Sequence, residues 1–290
     1  MNDKSPDTSI KPFSTQLLKW IGNKQRFAHE IAGSFPKEYN RYFEPFLGSG
    51  AILSTLSPLN AVGSDAFPPL IEIFQILKSN PNLLKQWYEE RWSIAHGESK
   101  KEGYEIIKSS FNEKPNGADL LFLSRSCYGG VVRFREADGF MSTACGVHEP
   151  IKPESFNKRT DLWFKRVKNA DFKLMDYREA MRKARKGDLV YCDPPYKHSQ
   201  SILYGGQGFS LEELFEEISA CKKRGVYVAL SIDGTKKSGK MDCELSIPEK
   251  LFEKEIYVNI GRSMLKRFQM CGQTLENEVV SDRLLLTYIS

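Results

Sequence analysis

The densest chemistry in this chain lies in Asp193-Pro194-Pro195-Tyr196, which follows directly on the apolar run Leu189-Val190-Tyr191-Cys192. Asp193 supplies a carboxylate, and the Pro194 carbonyl, next to a ring that cannot continue a strand, supplies a second acceptor. Two acceptors about one hydrogen-bond length from a shared point suit an exocyclic amine, which has two N–H donors. The lone pair of such an amine, adenine's for example, is delocalised into the ring and attacks poorly. Aligned acceptors favour the positive charge that builds on nitrogen during attack. Tyr196 offers a flat face on which a base can stack. The plainer alternative is a strand ending in a turn with a capping Asp.

For this group to act, Leu189 to Cys192 must be a buried parallel strand, covered on both faces and therefore apolar without alternation. Asp193 then stands at the carboxyl end of a central strand, where open α/β sheets form their ligand crevice. Upstream, in the stretch Arg41 to Ile52, an aromatic strand runs into the Gly48-Ser49-Gly50 turn, with Ala51-Ile52-Leu53 opening a helix. Glycines at that point let a ligand approach the backbone closely. Neither a Gly-Lys-Ser/Thr phosphate loop nor a full Gly-x-Gly-x-x-Gly is present. The next strand, Ala61 to Asp65, ends in an acid suited to ribose hydroxyls, which points to a nucleoside-bearing cofactor; the same Asp could cap the following helix. Near the N-terminus, Gly22-Asn23 marks a turn flanked by Trp20 and Lys24, which could be core and solvated residues or the wall of an anion site.

From Lys78 to Ala170 the strand–helix alternation breaks. Helical stretches at 83–94, 103–111 and 118–125 lead into Cys127 to Arg135 and an Asp138-Gly139 turn, which reads as a β-hairpin presenting Tyr128, Arg133 and Arg135. Between Lys152 and Lys168, basic residues interleave with Phe156, Trp163 and Phe164. That mixture suits phosphate contacts beside an aromatic platform, although a basic run is also an ordinary wet helix face. Alternation then resumes with a strand over 172–177 ending at Asp176, a basic helix, the Asp193 strand, a Gly-rich loop over 201–210, a helix over 211–224 and a strand over 226–233. Strand-like stretches around Ile256 to Ile260 and Leu284 to Ile289 close the chain and could form a terminal antiparallel pair.

Bulk properties fit an ordinary globular chain: 290 residues, 40% hydrophobic and 27% charged, with net charge +5. The mildly basic balance permits a polyanionic partner without requiring one. Six cysteines and four histidines form no metal-ligand spacing, so no metal is expected. No run is long and apolar enough to span a bilayer, and the polar start lacks a signal core, so no membrane partner and a cytoplasmic location are expected.

Four segments, Lys19 to Lys24, Glu44 to Gly50, Asp65 and Asp193 to Tyr196, occur in the order seen in Dam-like (D12 class) adenine-specific DNA methyltransferases, and the chain resembles that family from about Gln16 to Tyr288. The resemblance implies a Rossmann-like α/β sheet over 12–77 and 170–290, with a mostly helical DNA-recognition domain carrying the hairpin inserted over 78–169. It implies S-adenosyl-L-methionine as cofactor. Trp20 and Lys24 would hold its methionine end, the loop of Glu44, Pro45, Phe46, Gly48 and Gly50 would pass beneath it, Asp65 would take its ribose, and Asp176 and Tyr177 its adenine. Asp193, Pro194 and Tyr196 would carry methyl transfer to N6 of an adenine flipped out of double-stranded DNA. Tyr128 would wedge beside the flipped base and Arg133 would read a guanine, with Arg125 and Arg135 also at the DNA. The segment Phe140 to Gly146 departs from the family's hairpin return, which leaves the target sequence open. The resemblance leaves open a restriction-modification role, with a cognate restriction endonuclease acting independently, or that of an orphan methylase. Rival readings are a cytosine-N4 or RNA methyltransferase, a non-catalytic DNA-binding regulator, and a dinucleotide oxidoreductase.

Overall fold

The computed structural model describes residues 10–97, 99–195, 209–233, 247–261 and 280–289. Seven strands form one sheet: β1 Tyr42–Glu44, β2 Ala61–Asp65, β3 Ala170–Leu174, β4 Leu189–Cys192, β5 Tyr227–Asp233, β6 Lys254–Gly261 and β7 Val280–Leu286. Their order is β3-β2-β1-β4-β5-β7-β6. The first five run parallel, and β7 inserts antiparallel between β5 and β6. The strand order therefore reverses direction between β1 and β4, and the crevice of such a sheet opens at the carboxyl ends of that pair. Glu44 ends one of the two strands and Asp193 follows the other.

The apolar run of β4 is explained by its two covers. Leu189 and Tyr191 join an apolar cluster with Tyr42, Leu53 and Phe74, while Val190 and Cys192 join a second with Phe43, Ile218 and Leu230. Alternate side chains of a strand face opposite ways, so a strand buried on both sides has no polar position to spare. On the first face lie α1 Ala28–Ala32, α2 Ala51–Leu56 and α3 Pro68–Ser79; on the second lie α8 Tyr177–Lys183 and α9 Leu211–Lys223.

Between β2 and β3 the chain builds α4 Pro81–Gly97, α5 Lys100–Glu113, α6 Gly117–Ser126 and α7 Pro153–Val167. A capping box of Ser99 and Glu102 starts α5, and Asn116 caps α6. The buried carboxylate of Asp119 ties these helices together, accepting from Arg91 Nε at 2.9 Å and Ser110 Oγ at 2.8 Å. The apolar cluster on the first sheet face continues through Leu77 into Leu84, Tyr88, Tyr104 and Phe122. Sheet and helices thus share one interior.

Several local expectations need correction. Strand β3 ends at Leu174, and Asp176 instead caps α8 by accepting from the Arg178 N–H. In α7, Phe156 and Trp163 are fully buried, with Trp163 Nε1 donating to the Thr15 carbonyl at 2.8 Å, so they form core and no platform. The hairpin is sparse: its arms meet at isolated bridges, Cys127 with Cys145 and Phe134 with Met141.

Candidate active site

Below the sheet's reversal point lies a cavity of about 300 Å³, lined among others by Trp20, Lys24, Glu44, Phe46, Asp65, Tyr177 and Asp193. Its floor is the turn after β1. Gly48 and Gly50 hold φ of +48° and +65°, a region that residues with a Cβ rarely adopt. At Gly50 a Cβ would also sit 3.1 Å from the Phe74 ring. The turn is tied to the neighbouring strand by Asp65, whose Oδ2 accepts from Gly48 N–H and whose Oδ1 accepts from Phe67 N–H, both at 3.1 Å. A carboxylate has about four acceptor sites, so two such bonds leave room for a ligand hydroxyl. Burial pushes Asp65 up to about 6 even against those hydrogen bonds.

One wall carries the charges. Lys24 Nζ lies 3.2 Å from Asp193 Oδ1, with both side chains mostly buried. Nearby, Glu44 is 2% exposed, and its Oε2 accepts from the Tyr42 hydroxyl at 2.7 Å. Burial raises Glu44 to about 8, with the neighbouring Asp193 adding to the rise and the Tyr42 bond opposing it. At neutral pH Glu44 therefore keeps its proton, and the wall holds a neutral acid beside a cation–carboxylate pair.

The opposite wall is aromatic. Phe46 stacks on Tyr177 with centroids 5.0 Å apart and planes at 25°. Phe209 closes edge-on against both, at 5.9 Å and 5.8 Å. The Tyr177 hydroxyl is buried and meets no hydrogen-bond partner among the described residues. Asp176 lines the cavity too, but its carboxylate receives the Arg178 N–H and guanidinium, which hold it below the usual carboxylate range. Trp20 lies across the glycine turn, its Cδ1 3.4 Å from where a Gly48 Cβ would stand, and stacks on Phe67 at 6.2 Å.

The structure thus brings Trp20, Lys24, Glu44, Pro45, Phe46, Gly48, Asp65, Asp176, Tyr177 and Asp193 around one cavity. Gly50 shapes its floor, and Pro194 is buried beside it. Tyr196 lies outside the described residues, as does most of the Gly-rich loop. Sequence reasoning missed Tyr42, Phe67, Arg178 and Phe209. Tyr42 had a signal, because positions i and i+2 of a strand share a face and put its hydroxyl beside Glu44.

The residues expected at DNA divide. Tyr128 is half-exposed at the hairpin base, and Arg133 is exposed, its N–H donating to Thr143 Oγ1 at 2.9 Å. Arg135 braces the tip: its guanidinium binds Asp138 through two bonds of 3.1 and 2.6 Å and lies 4.2 Å over the Phe140 ring. Arg125 points inward, 8% exposed, donating from Nη1 to the carbonyls of Gln16 at 3.1 Å and Leu17 at 2.9 Å. It anchors the N-terminal segment to α6. Among the described residues no group of three His, Cys, Asp or Glu could hold a metal ion, and no helix is long and apolar enough to cross a membrane.

A family model described as D12 class N6 adenine-specific DNA methyltransferase matches residues 20–260. The type II methyltransferase M1.LlaDCHI of Lactococcus lactis subsp. cremoris is 29% identical over 242 residues, covering 77% of this chain and 81% of that protein. A DNA adenine methylase of Vibrio cholerae is 26% identical over 227 residues, covering 74% of this chain and 80% of its own. The type II methyltransferase M.MjaIII of Methanocaldococcus jannaschii is 28% identical over 211 residues, covering 65% and 70%.

Proposed function

Because this chain belongs to the D12 class of N6 adenine-specific DNA methyltransferases, we propose that Asp193 and the Pro194 carbonyl receive the N6 amine of an adenine turned out of double-stranded DNA. The observation that carries this assignment is the place of Asp193: it follows β4 at the sheet's reversal point and lines the cavity under the glycine turn. An ionised carboxylate there accepts one N–H of the amine and the carbonyl accepts the other. Nitrogen gains positive charge as it attacks, and both acceptors favour that change. Holding the two reactants in line supplies a further large share of the rate.

The cavity fits S-adenosyl-L-methionine on three features of its own: a backbone floor kept bare by glycine, a buried carboxylate with acceptor capacity left, and a stacked aromatic wall with an unanswered phenol. When bound, this cofactor supplies the methyl group from its sulfonium. Asp65 would take the ribose hydroxyls. Phe46, Tyr177 and Phe209 would hold the adenine ring, with Asp176 at its edge. Trp20 would close over the methionine end, with Lys24 next to it. Lys24 also favours the ionised form of Asp193. With Glu44 keeping its proton, the pocket carries one negative charge at the reacting amine instead of two.

We assign target recognition to residues 78–169. Tyr128 would wedge into the duplex where the base leaves, Arg133 would read a guanine edge in the major groove, and Tyr196 would stack on the flipped adenine. Arg135 supports this hairpin from within its tip. A cytoplasmic site of action and an independently acting restriction endonuclease of the same specificity complete the proposal.

Labelled S-adenosyl-L-methionine and duplex DNA, followed by hydrolysis and nucleoside chromatography, test the reading. Label is expected in N6-methyladenine, and Asp193→Ala should retain DNA and cofactor binding while losing transfer. Label in cytosine, or undiminished transfer by Asp193→Ala, would refute it.

A further inference from the structure

The base of the hairpin places two thiols face to face. Cys127, the residue that ends α6, opposes Cys145 across an antiparallel bridge. The ladder bonds on either side belong to the flanking residues: Tyr128 N–H donates to the Ala144 carbonyl and Gly146 N–H to the Ser126 carbonyl, both at 2.8 Å. This pattern makes the two cysteines a non-hydrogen-bonded pair, the closer of the two antiparallel kinds. Cα atoms in such pairs stand about 4.5 Å apart, with both side chains on one face. A disulfide spans Cα separations of about 4.4–6.8 Å, so bridging asks for little backbone movement.

Both cysteines are free; Cys127 is buried and Cys145 partly exposed. Their sulfurs rest on nearby carbonyls, Cys127 Sγ 3.8 Å from that of Ser124 and Cys145 Sγ 3.6 Å from that of Gly146. Neither sulfur has a stronger bond to give up among those contacts. The scattered spacing of six cysteines in the sequence gave no hint of this pair, because the bridge depends on the hairpin register.

We propose that Cys127 and Cys145 are a redox modification site, closing into an intramolecular disulfide on reaction with a low-molecular-weight disulfide and tying together the base of the hairpin. Cys145, the accessible thiol, loses its proton and attacks one sulfur of the small disulfide, whose S–S bond breaks and releases one thiolate. The Cys127 thiolate then attacks Cys145 Sγ in the mixed disulfide and displaces the second small thiolate. The two protein sulfurs lose two electrons, the small disulfide gains them, and the two cysteine protons end on the departing thiols. Burial raises both thiols, Cys127 to about 12, so the exchange is slow at neutral pH and quickens as pH rises. Lys19 beside Cys127, and Lys100 and Lys108 beside Cys145, work against the rise, while Glu105 and Glu149 add to it at Cys145. Tyr104 lies close to both sulfurs and donates its hydroxyl to the Thr143 carbonyl at 2.8 Å, which keeps the return arm in place. The site stands on the hairpin geometry and does not depend on what the hairpin binds.

The full chain is incubated with oxidised glutathione, remaining thiols are alkylated with iodoacetamide, and peptides are mapped without reduction. A peptide linking 127 to 145 is expected, and it should vanish in Cys145→Ser, whose partly exposed position tolerates the change. In the linked protein, tryptic cleavage after the exposed Arg133 should slow by about tenfold or more, because the closed loop opens less often. Glutathione left stably on Cys145, or alkylated Cys127 in the oxidised protein, would overturn the assignment. A linked peptide with cleavage as fast as in the reduced chain would overturn the tie.

Discussion

Lys24 and Asp193 lie far apart in the sequence, and their charged atoms meet at 3.2 Å inside the cavity wall. The pair joins the segment before β1 to the residue after β4 at the point where the sheet reverses. A cation at that distance interacts favourably with the charged form of the carboxylate. Lys24→Gln should therefore raise the pH needed for turnover: the acid limb of the single-turnover rate profile moves up, and the rate at neutral pH falls by about 10- to 100-fold. Lys24→Arg should restore the limb. If Lys24 only anchored the cofactor, its KM would rise and the limb would stay in place.

Glu44 keeps its proton in the folded protein up to about pH 8, far above its ordinary value of 4.5. Between those values the folded state holds a proton that the unfolded chain has lost. Stability from this group is therefore full below about 4.5, falls as pH rises, and levels off above about 8. Glu44→Gln, which copies the neutral acid, should flatten that fall. Thermal melts of both proteins at pH 5.5 and 8 give the comparison. An equal loss in both would mean that Glu44 is ionised throughout.

The Tyr177 hydroxyl is buried with no partner among the described residues, at a cost of about 1–3 kcal/mol. Tyr177→Phe should raise the melting temperature of the ligand-free protein. It should also shrink the further rise on adding S-adenosyl-L-methionine, because the lost hydroxyl is the one left for the ligand. A larger shift in the variant would argue that this phenol does not touch the cofactor.

Arg125 and Arg133 should behave as opposites. Arg125→Ala removes a buried guanidinium from the carbonyls of Gln16 and Leu17, and should destabilise the fold by about 1–3 kcal/mol in chemical denaturation. Arg133→Ala leaves stability within about 0.5 kcal/mol while relaxing or abolishing the preference for one target sequence, as read by sequencing of methylated DNA. An unchanged target sequence in the second variant would remove Arg133 from recognition.

Much of this was legible from residue order. The bounds of β2 and β4 follow from apolar runs stopped by an acid, and the site follows from where those acids fall in an α/β sheet. The inward direction of Arg125 was not legible, because a lone basic residue near a hairpin reads as surface until the N-terminal carbonyls are seen to take its N–H groups. The α7 aromatics carried a signal that the basic residues hid: Phe156, Thr160, Trp163 and Val167 repeat at helical spacing and are the buried residues of that helix. Charge drew attention to the outer face, and the period described the inner one. The neutrality of Glu44 needed burial and the distance to Asp193, which no one-dimensional pattern contains. Arg178 was hidden for the opposite reason, since a basic helix start gives no sign that it will occupy Asp176.

The apolar interior that runs from the sheet through Leu77 to Phe122 packs the helical insert into the same core as the sheet. On the proposed reading, docking onto a duplex would then fall to the small hairpin. New specificities would, on the same reading, arise by rewriting that short ribbon, while the packed helices behind it stay as they are.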